Sequence, residues 1–166
     1  MRKKLLLLGV AGFLAVNVFA DHSGDRLGLG LFAGAGSATA AGGAQFNGGI
    51  SLKVPGLPVF WGINASIGNN ATAVSVTGDY YIFDDDLVRD NSFDLDWFLG
   101  LGGFGHFYFG DPFSAALGVR VPIGLSWHVN QNFELFADIT PGLGVKLTGS
   151  PLYWVGGGEL GLRVWF

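Results

Sequence analysis

The chain has 166 residues, no cysteine and 29 glycines; it is 49% hydrophobic and only 13% charged. That length predicts one domain, the missing cysteines exclude disulfide staples, and the charge content is about half that of a soluble domain. A net charge of −4 carries no basic footprint for nucleic acid, the glycines lack a G-X-Y period, and the hydrophobic content excludes disorder.

Residues 1–20 read as a secretory signal peptide. Arg2, Lys3 and Lys4 form a basic start, Leu5 to Val16 an apolar run, and Val18-Phe19-Ala20 a cleavage site. The other reading is a membrane anchor. Removing this segment leaves six basic residues against thirteen acidic ones in residues 21–166, which form a single domain. No later apolar run reaches the roughly 20 residues of a spanning helix. The best, Trp97 to Gly110, is short and interrupted by glycines and His106.

From Leu27 onward the chain alternates with period two, in blocks of about ten residues. Leu27, Leu29, Leu31 and Ala33 alternate with Gly28, Gly30, Phe32 and Gly34. Phe46, Ile50, Leu52 and Val54 oppose Gln45, Asn47, Gly49, Ser51 and Lys53. Trp61, Ile63, Ala65 and Ile67 oppose Phe60, Gly62, Asn64 and Ser66. Val74, Val76, Tyr80 and Ile82 oppose Ser75, Thr77, Asp79 and Tyr81. In the second half, Leu95, Trp97, Leu99, Leu101, Phe107 and Phe109 oppose Asp96, Phe98, Phe104, His106 and Tyr108. A single strand is predicted over 115–129, another over 133–139, and a last one ending Leu160, Leu162, Val164, Phe166. Compact turns fall at 55–58, 110–112 and 130–132, and longer connections at 36–43, 68–72, 84–91 and 141–151. Connections this short force antiparallel pairing.

The two faces have opposite chemistry. Each charged residue inside a predicted strand lies on the glycine-rich polar face: Lys53, Asp79, Asp96, Arg120, Glu134, Asp138, Glu159 and Arg163. The other face is Leu, Val, Ile, Ala, Phe and Trp. A soluble barrel inverts this. In hydrocarbon the apolar belt is required, since a lipid-facing Arg or Lys at mid-depth costs about 2–4 kcal/mol, and an open sheet edge is not tolerated. The expected fold is therefore all-β: a closed, eight-stranded, antiparallel up-and-down transmembrane barrel in contact with membrane lipids. Trp61, Trp97, Trp127, Trp154, Phe109, Phe133 and Phe166 suit the interfacial girdles.

Counting from the turns places Arg120, Asp138 and Glu159 near mid-barrel, and Glu134 and Arg163 one layer lower. Asp96 and His128 complete the expected lumen network, which reads as a structural plug because a buried ion network must be fully paired to be tolerated. A gated or proton-conducting path is the functional alternative. Ser126, His128 and Glu134 come together across the 130–132 turn as a candidate nucleophile, base and orienter, but no oxyanion donor accompanies them. Gly100-Leu101-Gly102-Gly103-Phe104-Gly105 matches a dinucleotide fingerprint and fails it, with no helix following. Histidines scattered at 22, 106 and 128 predict no metal, and nothing predicts a cofactor.

The end of the chain, Leu160-Gly161-Leu162-Arg163-Val164-Trp165-Phe166, resembles the carboxy-terminal signal read by the outer-membrane barrel assembly machinery. With eight strands, the whole chain resembles the small outer-membrane barrels of the OmpX, OmpW and OmpA-transmembrane type. The resemblance implies a bacterial outer-membrane location, both mature termini in the periplasm, and a monomer. It implies a non-enzymatic structural or adhesive role, with residues 36–43 and 141–151 as surfaces for a host or environmental ligand. A narrow channel for small hydrophobic or ionic solutes, and a lipid-modifying enzyme, are the alternatives.

Overall fold

Strands with one greasy and one polar face can satisfy every backbone group only by closing on themselves. The computed structural model, which describes residues 25–38, 43–68, 72–90, 93–109, 113–147 and 152–166, shows that closure. The predicted signal segment at 1–20 and the connections at 39–42, 69–71, 110–112 and 148–151 lie outside the described residues. In chain order the strands are β1 (Gly28–Ala38), β2 (Gly43–Lys53), β3 (Phe60–Gly68), β4 (Thr72–Asp90) and β5 (Phe93–Phe109). They continue as β6 (Ser114–Arg120), β7 (Ile123–Asn130), β8 (Phe133–Ile139), β9 (Gly142–Lys146) and β10 (Leu152–Trp165). All pair antiparallel, and β10 returns to β1.

Ten segments make eight staves. Proline has no N–H for the ladder, so Pro122 divides one stave into β6 and β7, and Pro141 divides the next into β8 and β9. Both halves keep the same neighbours: β5 pairs with β6 and β7, and β10 with β8 and β9. Backbone bonds carry the ladder across the breaks, from Gly100 N–H to Pro122 O (2.8 Å) and from Val121 N–H to Pro141 O (2.9 Å).

The register fixes the shape. Stepping between paired residues around the ring runs Gly28, Lys53, Phe60, Asp79, Gly102, Arg120, Gly142, Val155, and arrives on β1 at Ala38. That is ten residues along from the start. A shift of ten over eight staves, at ~3.3 Å per residue and ~4.8 Å between strands, corresponds to a tilt of about 40°. A barrel this narrow is filled by its own side chains.

Three sequence expectations change. The 141–151 connection contains β9, which is paired on both sides, so the stave extends past Pro141. The 36–43 connection shrinks in the same way, because β1 runs to Ala38 and β2 begins at Gly43. In the acidic 84–91 stretch, residues 84–90 are strand rather than loop. Past Asp79, where β3 pairing stops, β4 runs on to Asp90 as a ribbon paired with β5 alone, with irregularities at Tyr81/Phe83 and Asp86/Val88, while β5 keeps β7 on its other side from Asp94 to Leu99. This extension of β4 stands at the end that holds Gly28 and Trp165. Charge and length hid it, since an acidic run reads as solvated whether or not it is strand.

Two turns show local sequence control. Val54-Pro55-Gly56-Leu57 closes with Leu57 N–H on Val54 O (3.2 Å), and Gly56 has φ 73°, the left-handed value a type II turn needs at that position. At the β7–β8 turn, the Asn130 side-chain oxygen accepts from Asn132 N–H (2.8 Å) and Phe133 N–H (3.0 Å).

Candidate functional site: the lumen

The side chains point as the alternation requires. Leu31, Phe46, Ile67, Leu160 and Trp154 are all at least 60% exposed on the barrel exterior, whereas Arg163 and Glu134 are 2% and 1% exposed within it. Soluble monomers avoid so continuous an apolar surface. Phe83 stacks on Trp97 and Phe93 leans on Trp127 toward the terminus end, while Trp154, Phe109 and Phe113 stand at the opposite end. Phe83, Phe93 and Phe113 add to the aromatics expected from the sequence.

At the terminus end the lumen is closed by an ion pair set in aromatic rings. Arg163 on β10 sits directly opposite Glu134 on β8, and its Nη1 donates to both carboxylate oxygens at 2.7 and 2.9 Å. Ser126 Oγ (2.8 Å) and Trp165 Nε1 (2.7 Å) donate to the same carboxylate, and Arg163 Nη2 donates to Ser51 Oγ (3.2 Å). The guanidinium carbon lies 4.6 Å from the Phe60 ring centre and 4.7 Å from that of Phe136. Phe60, Tyr81 and Phe98 form a continuous stack with 4.4 Å between successive rings. A charge-assisted knot wrapped this way is held from several sides at once.

The middle tier differs from the sequence expectation. Arg120 pairs with Asp79, its Nε and Nη2 reaching the two carboxylate oxygens at 2.8 and 2.5 Å. Asp138 and Glu159 face each other across β8 and β10, and Asn47 Nδ2 donates to Glu159 at 3.4 Å. Arg120, Asp138 and Glu159 line one small lumen space, as counting from the turns places them, but they are not register partners: Arg120 pairs in register with Gly142, and Asp138 with Gly124. Asp79 is the residue that counting misses. The signal lay in Gly102, which stands between Asp79 and Arg120 in register. Arg120 reaches over it, and a Cβ there would overlap the Asp79 carboxylate. Gly102→Ala is therefore expected to break the bidentate pair at a cost of about 1–3 kcal/mol, read as a lower urea midpoint of the folded barrel in vesicles. An unchanged midpoint would show that the pair tolerates crowding.

The same device seats the lumen aromatics. Phe98 lies opposite Gly124, Phe104 opposite Gly118, Phe136 opposite Gly161 and Tyr153 opposite Gly144, each ring covering its glycine. Much of the glycine content is thus space for rings. At the far end Phe104, Tyr108 and Tyr153 are buried; the Phe104 ring stacks on His106 at 4.4 Å, and His106 Nδ1 lies 3.3 Å from Tyr108 Oη. Phe104, His106 and Tyr108 share the wall of a polar cavity of about 70 Å³ with Asn64, Ser75, Thr77, Arg120 and Glu159. A second space of about 20 Å³, room for about one water, lies beside Asp79, Tyr81 and Arg163.

The candidate hydrolytic set is used otherwise. Ser126 has no exposed surface and points its hydroxyl at Glu134, a carboxylate already holding Arg163 and Trp165. His128 Nδ1 lies 3.2 Å from Asp96 Oδ2. On β10, Leu160 and Leu162 are exposed and Val164 is half-buried; just past the strand Phe166 is exposed, and its N–H donates to Leu27 O (2.9 Å), joining this segment to the start of the sheet.

No protein-family model matches the chain, and no curated protein matches it in sequence. Solved structures do. Neisserial surface protein A is similar over 86% of this chain and 97% of its own, with a TM-score of 0.56 and 16% identity. The N-terminal β-barrel domain of Pseudomonas aeruginosa OprF is similar over 84% and 97%, with a TM-score of 0.51 and 14% identity. Identities this low speak for shared architecture alone, and the architecture of this chain is that of the small eight-stranded outer-membrane β-barrels.

Proposed function

We propose that this chain is a non-enzymatic outer-membrane protein whose barrel is a plugged scaffold for the segments at one rim. The reading rests on one observation above the others: the Glu134–Arg163 knot and the Phe60–Tyr81–Phe98 stack fill the terminus-end cross-section with side chains at most 6% exposed. A lumen closed by paired charge and stacked rings offers no continuous aqueous path. Both mature termini belong in the periplasm, and residues 39–42, 69–71, 110–112 and 148–151 in the outer medium. The alternating strip Leu160, Leu162, Val164, Phe166 suits recognition by the barrel assembly machinery, and the protein works as a monomer among outer-membrane lipids. Surface binding of a host or environmental ligand falls to the tips of the 36–43 and 141–151 regions, since their flanks are strand.

Planar-bilayer recordings test the plug. The folded barrel is expected to give no steady conductance steps. Steady steps abolished by Arg120→Ala would favour the narrow channel for small hydrophobic or ionic solutes. Binding by intact cells, compared before and after replacement of residues 147–151, tests the adhesive role. A lipid profile altered by deletion of the gene would revive the lipid-modifying alternative.

A further inference from the structure

Strand geometry assembles a set of donors that no linear spacing announces. Asp94 and Asp96 are two apart on β5 and so share a face. His128 on β7 stands directly opposite Asp94, and Ser126 opposite Asp96. One oxygen from each aspartate and one imidazole nitrogen come within 4.8 Å of one another. Asp96 is buried at 7% exposure and the other two are half-buried, on the β5–β7 ladder beside the extension of β4 past Asp79.

We propose that Asp94, Asp96 and His128 bind a single divalent transition-metal cation. Two carboxylates and an imidazole are a mixed oxygen and nitrogen donor set of the kind zinc and manganese accept, with the remaining positions left to water. The imidazole separates this set from the bare acidic run along β4, which offers oxygen alone. Charge beside the set points the same way. The register puts Asp86 on the face of β4 that meets Asp96, so with Asp94 three carboxylates stand near one guanidinium, that of Arg89.

Arg89 is the competitor. It contacts Asp86 at 2.6 Å and Asp94 at 3.3 Å, with its side chain 62% exposed. Ion pairs in such exposure contribute little, about 0–1 kcal/mol, and a long side chain can swing into solvent. The His128–Asp96 contact orients the ring toward the aspartates, and its nitrogen must give up any proton to hold a metal, so binding weakens in acid. The site depends on the fold only; it stands whether the barrel is adhesive or conducting.

The test is calorimetric titration of the detergent-solubilised barrel, without an affinity tag, with Zn²⁺ and Mn²⁺ separately and with Ca²⁺ and Mg²⁺ for comparison. One equivalent of Zn²⁺ or Mn²⁺ is expected, weakened about tenfold or more by Asp96→Asn and by His128→Gln. Asp85→Asn, elsewhere on the ribbon, should leave it unchanged. Visible absorption of bound Co²⁺ provides a second readout, which His128→Gln should abolish by removing the nitrogen ligand. Heat-dependent gel mobility establishes that each variant has folded. No saturable equivalent, or binding that survives both Asp96→Asn and His128→Gln, would overturn the site and reduce the cluster to two ion pairs. Neither result bears on the plugged-scaffold reading, which the conductance recordings decide.

Discussion

Glu134→Ala is expected to lower the stability of the barrel by about 3–5 kcal/mol, the cost of leaving a buried charge without its partner. Arg163 is 2% exposed, and its guanidinium is enclosed by the rings of Phe60, Phe136 and Trp165. The same substitution removes the acceptor of Ser126 Oγ and Trp165 Nε1, each a further loss of about 1 kcal/mol or more when buried. Removing both charges should be milder. Glu134→Leu with Arg163→Met keeps apolar volume between the rings, and a thioether packs well against aromatic faces. The double variant should therefore recover most of the loss. Urea unfolding in phospholipid vesicles, read by gel mobility and tryptophan fluorescence, measures both. A single-variant cost below about 1 kcal/mol, typical of exposed pairs, would mean that the knot is hydrated and the lumen open at that tier.

Leu160→Arg tests the other half of the polarity argument. Leu160 lies on β10 midway between Trp154 and Phe166, which stand near opposite ends of that strand, and it is 69% exposed. If those rings mark the two interfaces, Leu160 sits near mid-depth in hydrocarbon. A cationic side chain there costs about 2–4 kcal/mol, falling toward zero near an interface. Asp85→Arg, beside Trp97 at the terminus end, should cost only about 0–1 kcal/mol, as at an interface. The comparison belongs in vesicles, where the exterior meets acyl chains. Equal stabilities for the two variants would show that the exterior belt does not meet lipid.

Much of this barrel was legible because alternation is a one-dimensional signal. Residues two apart share a face regardless of strand partners, so Leu29, Ile63, Leu125 and Leu162 could be sent outward, and Phe32, Asn64, Ser126 and Arg163 inward, before any pairing was known. The Glu134–Arg163 layer was legible too, because it lies close to the short turn from which register can be counted. Farther from the turns the counting was incomplete. It grouped Arg120 with Asp138 and Glu159, which line one lumen space, but missed Asp79, to which the structure joins Arg120 across Gly102. The β9 segment and the β4–β5 ribbon were hidden for different reasons: Pro141 imitates a strand end, and a run of aspartates imitates a loop.

Composition and alternation alone determined that the chain is all-β, antiparallel, greasy outside and polar within, because these depend only on which neighbours along the chain share a side. The tertiary structure decided which charges meet. Tilt displaces each stave against the next, and the displacement accumulates to ten residues around the ring, so a lumen partner depends on the closure of the whole barrel. The pairing of Arg120 with Asp79, the ring-filled cross-section at Arg163, and the meeting of Asp94, Asp96 and His128 all result from that accumulated shift.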